Sequence, residues 1–236
     1  MKKNKKIVVS DKSKKFEENY FEGYYKKIAG NNALRDRELS NWFRGMFSFV
    51  NKYVPIKNAK GKRIIEFGCA YGSSAVVLKE FGLDVLGTDV SKLAIQRAKK
   101  NHPDISFSVQ DMQKLPSSKR RFDFVLACDV IEHLENPEQA IRNVYKLLKV
   151  GGVAIISTPN DFPSSYADPT HISVKAPEEW RRIFKKAGFG SVVIKPSTRF
   201  LPFLYRLHWR LDFILPIAVN STIFSSTVFI FAKKTK

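Results

Sequence analysis

Three carboxylates stand beside turns in the first half of this chain. Glu66 lies in "IIEFGCAYGS", two residues ahead of Gly68, with a second glycine at Gly72. Asp89 closes "DVLGTD" and Asp111 closes "ISFSVQD". Glycines where an apolar run gives way to a helix permit a tight turn and a close ligand, and the helix start offers unpaired N–H groups. Spacing argues against two phosphate-binding readings. A dinucleotide fingerprint would place its third glycine at position 73, which is Ser73. A phosphate loop requires Gly-Lys-Ser/Thr, and this loop has no lysine. Glu66 would repel a pyrophosphate but suits a ligand carrying an ammonium group. Asp89 can accept both hydroxyls of a ribose, and Asp111 can accept an exocyclic adenine N–H. A ligand with a cationic amino-acid end, a ribose and an adenine, and no phosphate, meets all three: S-adenosylmethionine.

Two histidines are placed for proton transfer. His133 follows an apolar run in "CDVIEHLE", and His171 stands in "DPTHIS", expected in a loop over the same crevice. Their bland roles would be packing a turn and ordering a loop. Asp129, Glu132 and His133 have the i, i+3, i+4 spacing that puts three side chains on one face of a helical turn. Two carboxylates and an imidazole suit a divalent ion.

The elements that must position these residues follow from periodicity. "KRIIEFG", "DVLGTDV", "ISFSVQD", "RFDFVLACDV" and "VAIISTPN" read as strands. Between them lie helices: "SSAVVLKEFG", then "SKLAIQRAKKNHP" with Ser91 as N-cap, then "NPEQAIRNVYKLLKVGG" closed by Gly151–Gly152. This alternation implies parallel βαβ units with helices on both faces of a sheet, and the three carboxylates fall at the C-terminal ends of its first three strands. "APEEWRRIFKKAGFG" is a further helix, "SVVIKPS" a sixth strand and "STVFIFAKKTK" a seventh. Residues 198–224, apolar, aromatic and basic, are far too long for a hairpin turn. Within them Phe200, Phe203, Leu204, Leu207, Leu211 and Ile214 trace an apolar helical stripe with Arg199, Arg206 and Arg210 outside it. This segment reads as a pocket lid or core, an oligomer contact, or an interfacial membrane helix.

The organisation expected is a basic tail over 1–15, a helical cap over 16–58, and a ligand-binding domain over 59–236 with 198–224 inserted. The 236 residues, 44% hydrophobic and 27% charged, suffice for one large core. The two cysteines, Cys69 and Cys128, argue against a disulfide framework and for a reducing, cytoplasmic setting. The basic start has no apolar run after it, so it is no secretory signal, and no stretch has the length of a membrane span. The net charge is +19, but 61–160 is nearly balanced; the excess lies in the tail and in 181–210, which has eight Lys or Arg and no acid. Such a field favours anionic partners: nucleic acid, acidic lipid or a phosphorylated substrate.

"IIEFGCAYG", "VLGTDVS", "VQDMQKLP", "RFDFVLACDVIEHLENPEQAI" and "LLKVGGVAIISTPN" together resemble the class I S-adenosylmethionine-dependent methyltransferases, in particular the group that includes the quinone-biosynthesis O-methyltransferases. The resemblance covers about residues 60–160 and extends more loosely to "DPTHISVKAPEEWRRIFKKAGF". It implies a Rossmann-like α/β fold: a seven-stranded, mostly parallel sheet with helices on both faces and the last strand antiparallel. It implies that Glu66 and the loop of Gly68, Cys69, Ala70 and Gly72 hold the methionine part of the cofactor. Asp89 with Val90 would hold the ribose, Asp111 with Met112 the adenine, and Cys128 would lie near the sulfonium. Ala70 stands where the family often has glycine, so a slightly tighter loop is expected. The quinone enzymes carry Glu-x-x-Glu-His where this chain has Asp129, Glu132 and His133; the shorter Asp129 argues against a metal.

The reaction implied is methyl transfer to oxygen of a small molecule, glycan or lipid-linked acceptor, leaving S-adenosylhomocysteine. An anionic membrane surface is a further partner, with peripheral localisation, and oligomeric state is left open. Methylation of adenine or glutamine nitrogen is disfavoured, because such enzymes carry an Asn/Asp-Pro-Pro-aromatic turn where this chain has "CDVIEH". The rival readings are an RNA methyltransferase, against which the charge lies in the flanks, a cofactor-binding protein without turnover, and a dehydrogenase, against which the third glycine is missing.

Overall fold

The computed structural model describes residues 33–114, 121–201, 203–220 and 225–236. The basic tail expected over 1–15 and the first half of the expected cap lie outside the described residues. Among the described residues the chain forms α1 (Ala33–Val50), β1 (Arg63–Phe67), α2 (Ser73–Glu80), β2 (Asp84–Asp89), α3 (Lys92–Asn101), β3 (Ser106–Val109), β4 (Phe122–Cys128), α4 (Pro137–Leu147), β5 (Leu148–Pro159), α5 (Pro177–Lys186), β6 (Ser191–Phe200), β7 (Phe213–Leu215) and β8 (Ser225–Lys233). Local signals set the helix starts. Ser91 Oγ accepts from Ala94 N (3.1 Å), Asn136 Oδ1 accepts from Gln139 N (3.0 Å), and Pro137 occupies the first turn of α4.

The strands form one sheet in the order β3-β2-β1-β4-β5-β8-β6-β7. Pairing is parallel from β3 through β5, and β8 runs antiparallel between β5 and β6. The order reverses between β1 and β4, so a crevice opens there beyond the strand ends. Both faces are covered, which is why the strands are apolar at consecutive positions. Ile64, Leu126, Ile155 and Phe229 face a core built with α1 and α2, while Ile65, Val125, Ile156 and Ile230 face one built with α4 and α5. Each such side chain, fully buried, contributes on the order of 2 kcal/mol.

Three differences from the sequence reading have physical reasons. Helix α4 stops at Leu147, and residues 148–152 already belong to β5; apolar periodicity cannot separate a helix end from the strand that follows it directly. The sheet has eight strands, because β7 adds to the free edge of β6 with Phe200 opposite Phe213 and Thr198 opposite Leu215. The stripe expected to be helical is not: Phe200 ends β6, and 204–206 and 209–211 are single 3-10 turns. Leu201 takes a left-handed conformation (φ 49°), Pro202 cannot continue a hydrogen-bonded helix, and His208 is extended. Among the described residues no helix is long and apolar enough to cross a membrane.

Candidate active site

The loop after β1 is built on backbone geometry that favours glycine. Gly68 and Gly72 have φ of 75° and 92°, and a Cβ on Gly68 would lie 2.5 Å from Val130 Cγ2. Ala70 has φ 46° in the same loop, a region that costs an alanine about 1 kcal/mol. Its N–H is held by Asp89 Oδ2 (3.0 Å), while Asp89 Oδ1 accepts from Ser91 N (2.9 Å). Asp89 at the end of β2 therefore ties the glycine loop to the start of α3. Beyond β3, Asp111 Oδ1 accepts from Gln113 N (2.9 Å) and Oδ2 lies 3.3 Å from Lys114 Nζ. The Met112 carbonyl accepts from Asn143 Nδ2 (3.1 Å), which fixes this turn against α4.

A cavity of about 660 Å3 opens where these loops meet. Of the residues singled out in the sequence, Gly68, Cys69, Ala70, Asp89, Val90, Asp111, Met112, Cys128 and His133 line it. Glu66, Gly72 and His171 do not. Glu66 is buried one layer behind the loop, where Ser74 Oγ donates to its Oε1 and no donor among the described residues meets its Oε2. Burial pushes its carboxyl up to about 7, Ser74 opposes this, and the Asp89 charge adds to it. Gly72 leads into α2, and a Cβ there would press within 2.9 Å of the Phe107 ring.

The acid–base cluster differs from the helical-turn reading. Asp129 sits at φ 52° and its carboxylate turns back to accept from Ser157 Oγ (2.9 Å). Only Ile131–His133 forms a 3-10 turn, so Asp129 is not grouped with Glu132 and His133. His171 takes that place instead: ligand atoms of Glu132, His133 and His171 lie within 4.8 Å of one another, and the two rings are 4.8 Å apart. Glu132 is fully buried, and among the described residues neither of its oxygens makes a hydrogen bond of ordinary geometry, with only weak support from Thr158 and its own N–H. Burial, then the charge of Asp129, holds its carboxyl well above the usual range. His133 Nδ1 faces the Thr170 carbonyl at 3.0 Å and His171 Nδ1 faces the Ser165 carbonyl at 2.6 Å. A carbonyl only accepts, so Nδ1 of each ring carries a proton, and in a neutral His133 ring the basic lone pair is on Nε2. Burial lowers the pKa of His133, which keeps its ring neutral. These three residues could hold a divalent cation through the Nε2 atoms and the Glu132 carboxylate, with the carbonyls orienting the rings.

Sequence reasoning missed the wall opposite the glycine loop. Trp42 and Phe43 of α1 line the cavity, as do Gln110, Gln113 and Thr170, beside Asp129, which the sequence had singled out. Gln110 stands next to Asp111, and no donor among the described residues meets its buried Oε1. The position of Gln110 beside Asp111 was a signal that could have found it. Nothing in "LSNWFRGMF" says which side of α1 turns to the crevice.

Residues 36–193 match the family described as the methyltransferase domain. A ubiquinone biosynthesis O-methyltransferase of Pelagibacter ubique is 30% identical over 169 residues, spanning 69% of this chain and 68% of that protein. The ubiquinone biosynthesis O-methyltransferase of Coxiella burnetii is 34% identical over 106 residues, and the match spans only 45% of its length. Phosphoethanolamine N-methyltransferase 2 of Haemonchus contortus, solved with S-adenosyl-L-methionine, superposes with a TM-score of 0.62 over 83% of this chain and 53% of that one. At 19% identity that likeness shows the fold alone.

Proposed function

The chain belongs to the methyltransferase-domain family of class I, S-adenosylmethionine-dependent enzymes, and from that premise we propose that it moves the methyl group of S-adenosylmethionine to a hydroxyl oxygen of a small-molecule acceptor, leaving S-adenosylhomocysteine. The residues present fit the cofactor. Gly68 permits the left-handed turn of the loop, Asp89 ties that loop to α3, and Gln110 Oε1 is a buried acceptor beside Asp111 that no donor among the described residues meets. A bound adenine would offer N–H donors there, relieving a cost of about 1–3 kcal/mol. Glu66 favours the cationic cofactor through its charge from behind Cys69 rather than by contact.

The cofactor supplies the electrophilic methyl group. The chain's own work is alignment, exclusion of water and removal of one proton. Trp42 and Phe43 form an aromatic wall on the acceptor side. His133 takes the hydroxyl proton on Nε2 as the new O–C bond forms, and gives it to solvent afterwards. The Thr170 carbonyl and His171, which does not line the cavity, position the ring. The observation that carries this reading is the neutral His133 at the cavity wall with Nδ1 committed to a carbonyl. The similarity to the Pelagibacter O-methyltransferase supports oxygen as the acceptor atom.

A panel of phenols and primary amines of matched size, scored for S-adenosylhomocysteine released, tests it. Turnover is expected with phenols and abolished by His133→Ala. Turnover confined to the amines, or equal in His133→Ala, would overturn the assignment of oxygen and of the base.

A further inference from the structure

The segment that follows β6 carries an apolar surface with nothing among the described residues packed over it. Leu201, Phe203 and Leu207 project from the first turn, and Phe213 and Leu215 from the outer face of β7, while Ile214 between them points inward to the core. Leu207 is 72% and Phe203 57% exposed. Monomeric proteins rarely leave so many large apolar side chains uncovered on one short stretch.

The exposed charges of this segment have one sign. Arg206 and Arg210 are exposed within it. From Arg181 to Lys236 the sequence holds a single acid, Asp212, and that acid is only 1% exposed and paired with Arg199. Among its described residues, the segment 203–217 therefore offers apolar side chains and cations and no exposed carboxylate. That combination complements the anionic headgroups and acyl boundary of a bilayer, where cations gain from the surface potential and apolar side chains from burial.

We propose that Leu201 and residues 203–217 dock this protein on an anionic lipid surface and set its acceptor cavity against the membrane. The link to the cavity is direct. The turns at 204–206 and 209–211 pack on α1, and Asp212 of this segment holds Arg199, whose guanidinium carbon lies 4.3 Å from the centre of the Trp42 ring. Trp42 is a wall of the cavity. The acceptor would then be an apolar molecule dissolved in the membrane. This last point rests on the methyl-transfer reading, whereas the docking itself does not.

Co-sedimentation of the full chain with phosphatidylcholine vesicles, and with vesicles in which phosphatidylglycerol replaces part of the phosphatidylcholine, tests the docking. Binding is expected to the anionic vesicles, to weaken with salt, and to fall about tenfold in Phe203→Ser/Leu207→Ser. No binding to anionic vesicles would overturn the proposal. So would vesicle binding undiminished in the double variant, which would place attachment on the lysines of residues 1–15. A dimer that the double variant dissociates, with no vesicle binding by the parent, would show that a second copy covers the surface. S-adenosylmethionine binding is followed in parallel by calorimetry: its absence defeats the methyl-transfer reading and leaves the docking result intact.

Discussion

Arg199 and Asp212 form an ion pair sealed from solvent, with Nε–Oδ1 at 2.6 Å and Nη2–Oδ2 at 3.0 Å and side chains only 6% and 1% exposed. Burial pushes the Arg199 pKa down and the Asp212 pKa up, and pairing opposes both. The pair joins β6 to the segment before β7, and its guanidinium lies against Trp42 on the cavity wall. Breaking such a pair strands a charge in the interior at about 3–5 kcal/mol. Arg199→Ala is therefore expected to lower Tm by roughly 10 °C. The Arg199→Ala/Asp212→Ala variant should recover part of that loss in the same thermal scan.

Gly45 gives a second reading of the same junction. Glycine to alanine inside a helix ordinarily stabilises by about 1 kcal/mol. Here a Cβ would lie 1.9 Å from Asp212 Oδ2 and 2.8 Å from Asp212 Cβ, and the ion pair leaves Asp212 little freedom to move. Gly45→Ala should destabilise the wild type, yet be neutral or stabilising in an Asp212→Ala background. Denaturant titration of the four proteins measures the coupling; additive effects would mean that Asp212 yields freely.

His133 sets an expectation for pH. Burial lowers its pKa below the ordinary histidine value, and only the neutral ring can take a proton. The rate under saturating substrates should rise with pH through an apparent pKa below about 6.5 and be flat above neutrality. His133→Ala should abolish that limb and lower kcat by about 10²–10⁴-fold, with cofactor affinity unchanged. An unchanged acid limb in the variant would assign it to another group.

Glu66 titrates at about 7 in the absence of ligand. A cationic cofactor favours its carboxylate form, so binding should release protons between about pH 6 and 8, and affinity should rise with pH across that window. Calorimetry in buffers of different ionisation enthalpy counts the protons. The same raised pKa makes the free protein lose stability as pH rises from about 4.5 through 7, because the folded state binds the proton more tightly there. Glu66→Gln should remove both effects.

The side of the cavity built by the loops after β1, β2 and β3 was legible in the sequence because its signals are local. Gly68 follows β1, Asp89 ends β2 and Asp111 lies two residues beyond β3, so strand periodicity alone brings them to one edge of a parallel sheet. The side walled by Trp42 and His133 was not, because it is assembled at long range. Trp42 reaches the cavity from a helix more than a hundred residues before the Arg199 that supports it. His171 meets Glu132 through a loop with no periodic signal. The stripe at 200–214 was misread for a related reason: spacing of three to four residues signals a helix only while the backbone can continue one, and Pro202 and an edge strand that pairs with β6 decided otherwise.

The most direct test of the central claim is calorimetric titration of the purified chain with S-adenosylmethionine, S-adenosylhomocysteine and NAD, with Asp89→Ala alongside. The structure leads us to expect micromolar binding of both sulfur compounds and none of NAD. In Asp89→Ala, which loses the tie between the glycine loop and α3, affinity should fall at least about tenfold, the loss expected of a hydrogen-bonded charge. No binding of either sulfur compound, or binding of NAD in their place, would contradict the assignment of the cavity as a methyl-donor site.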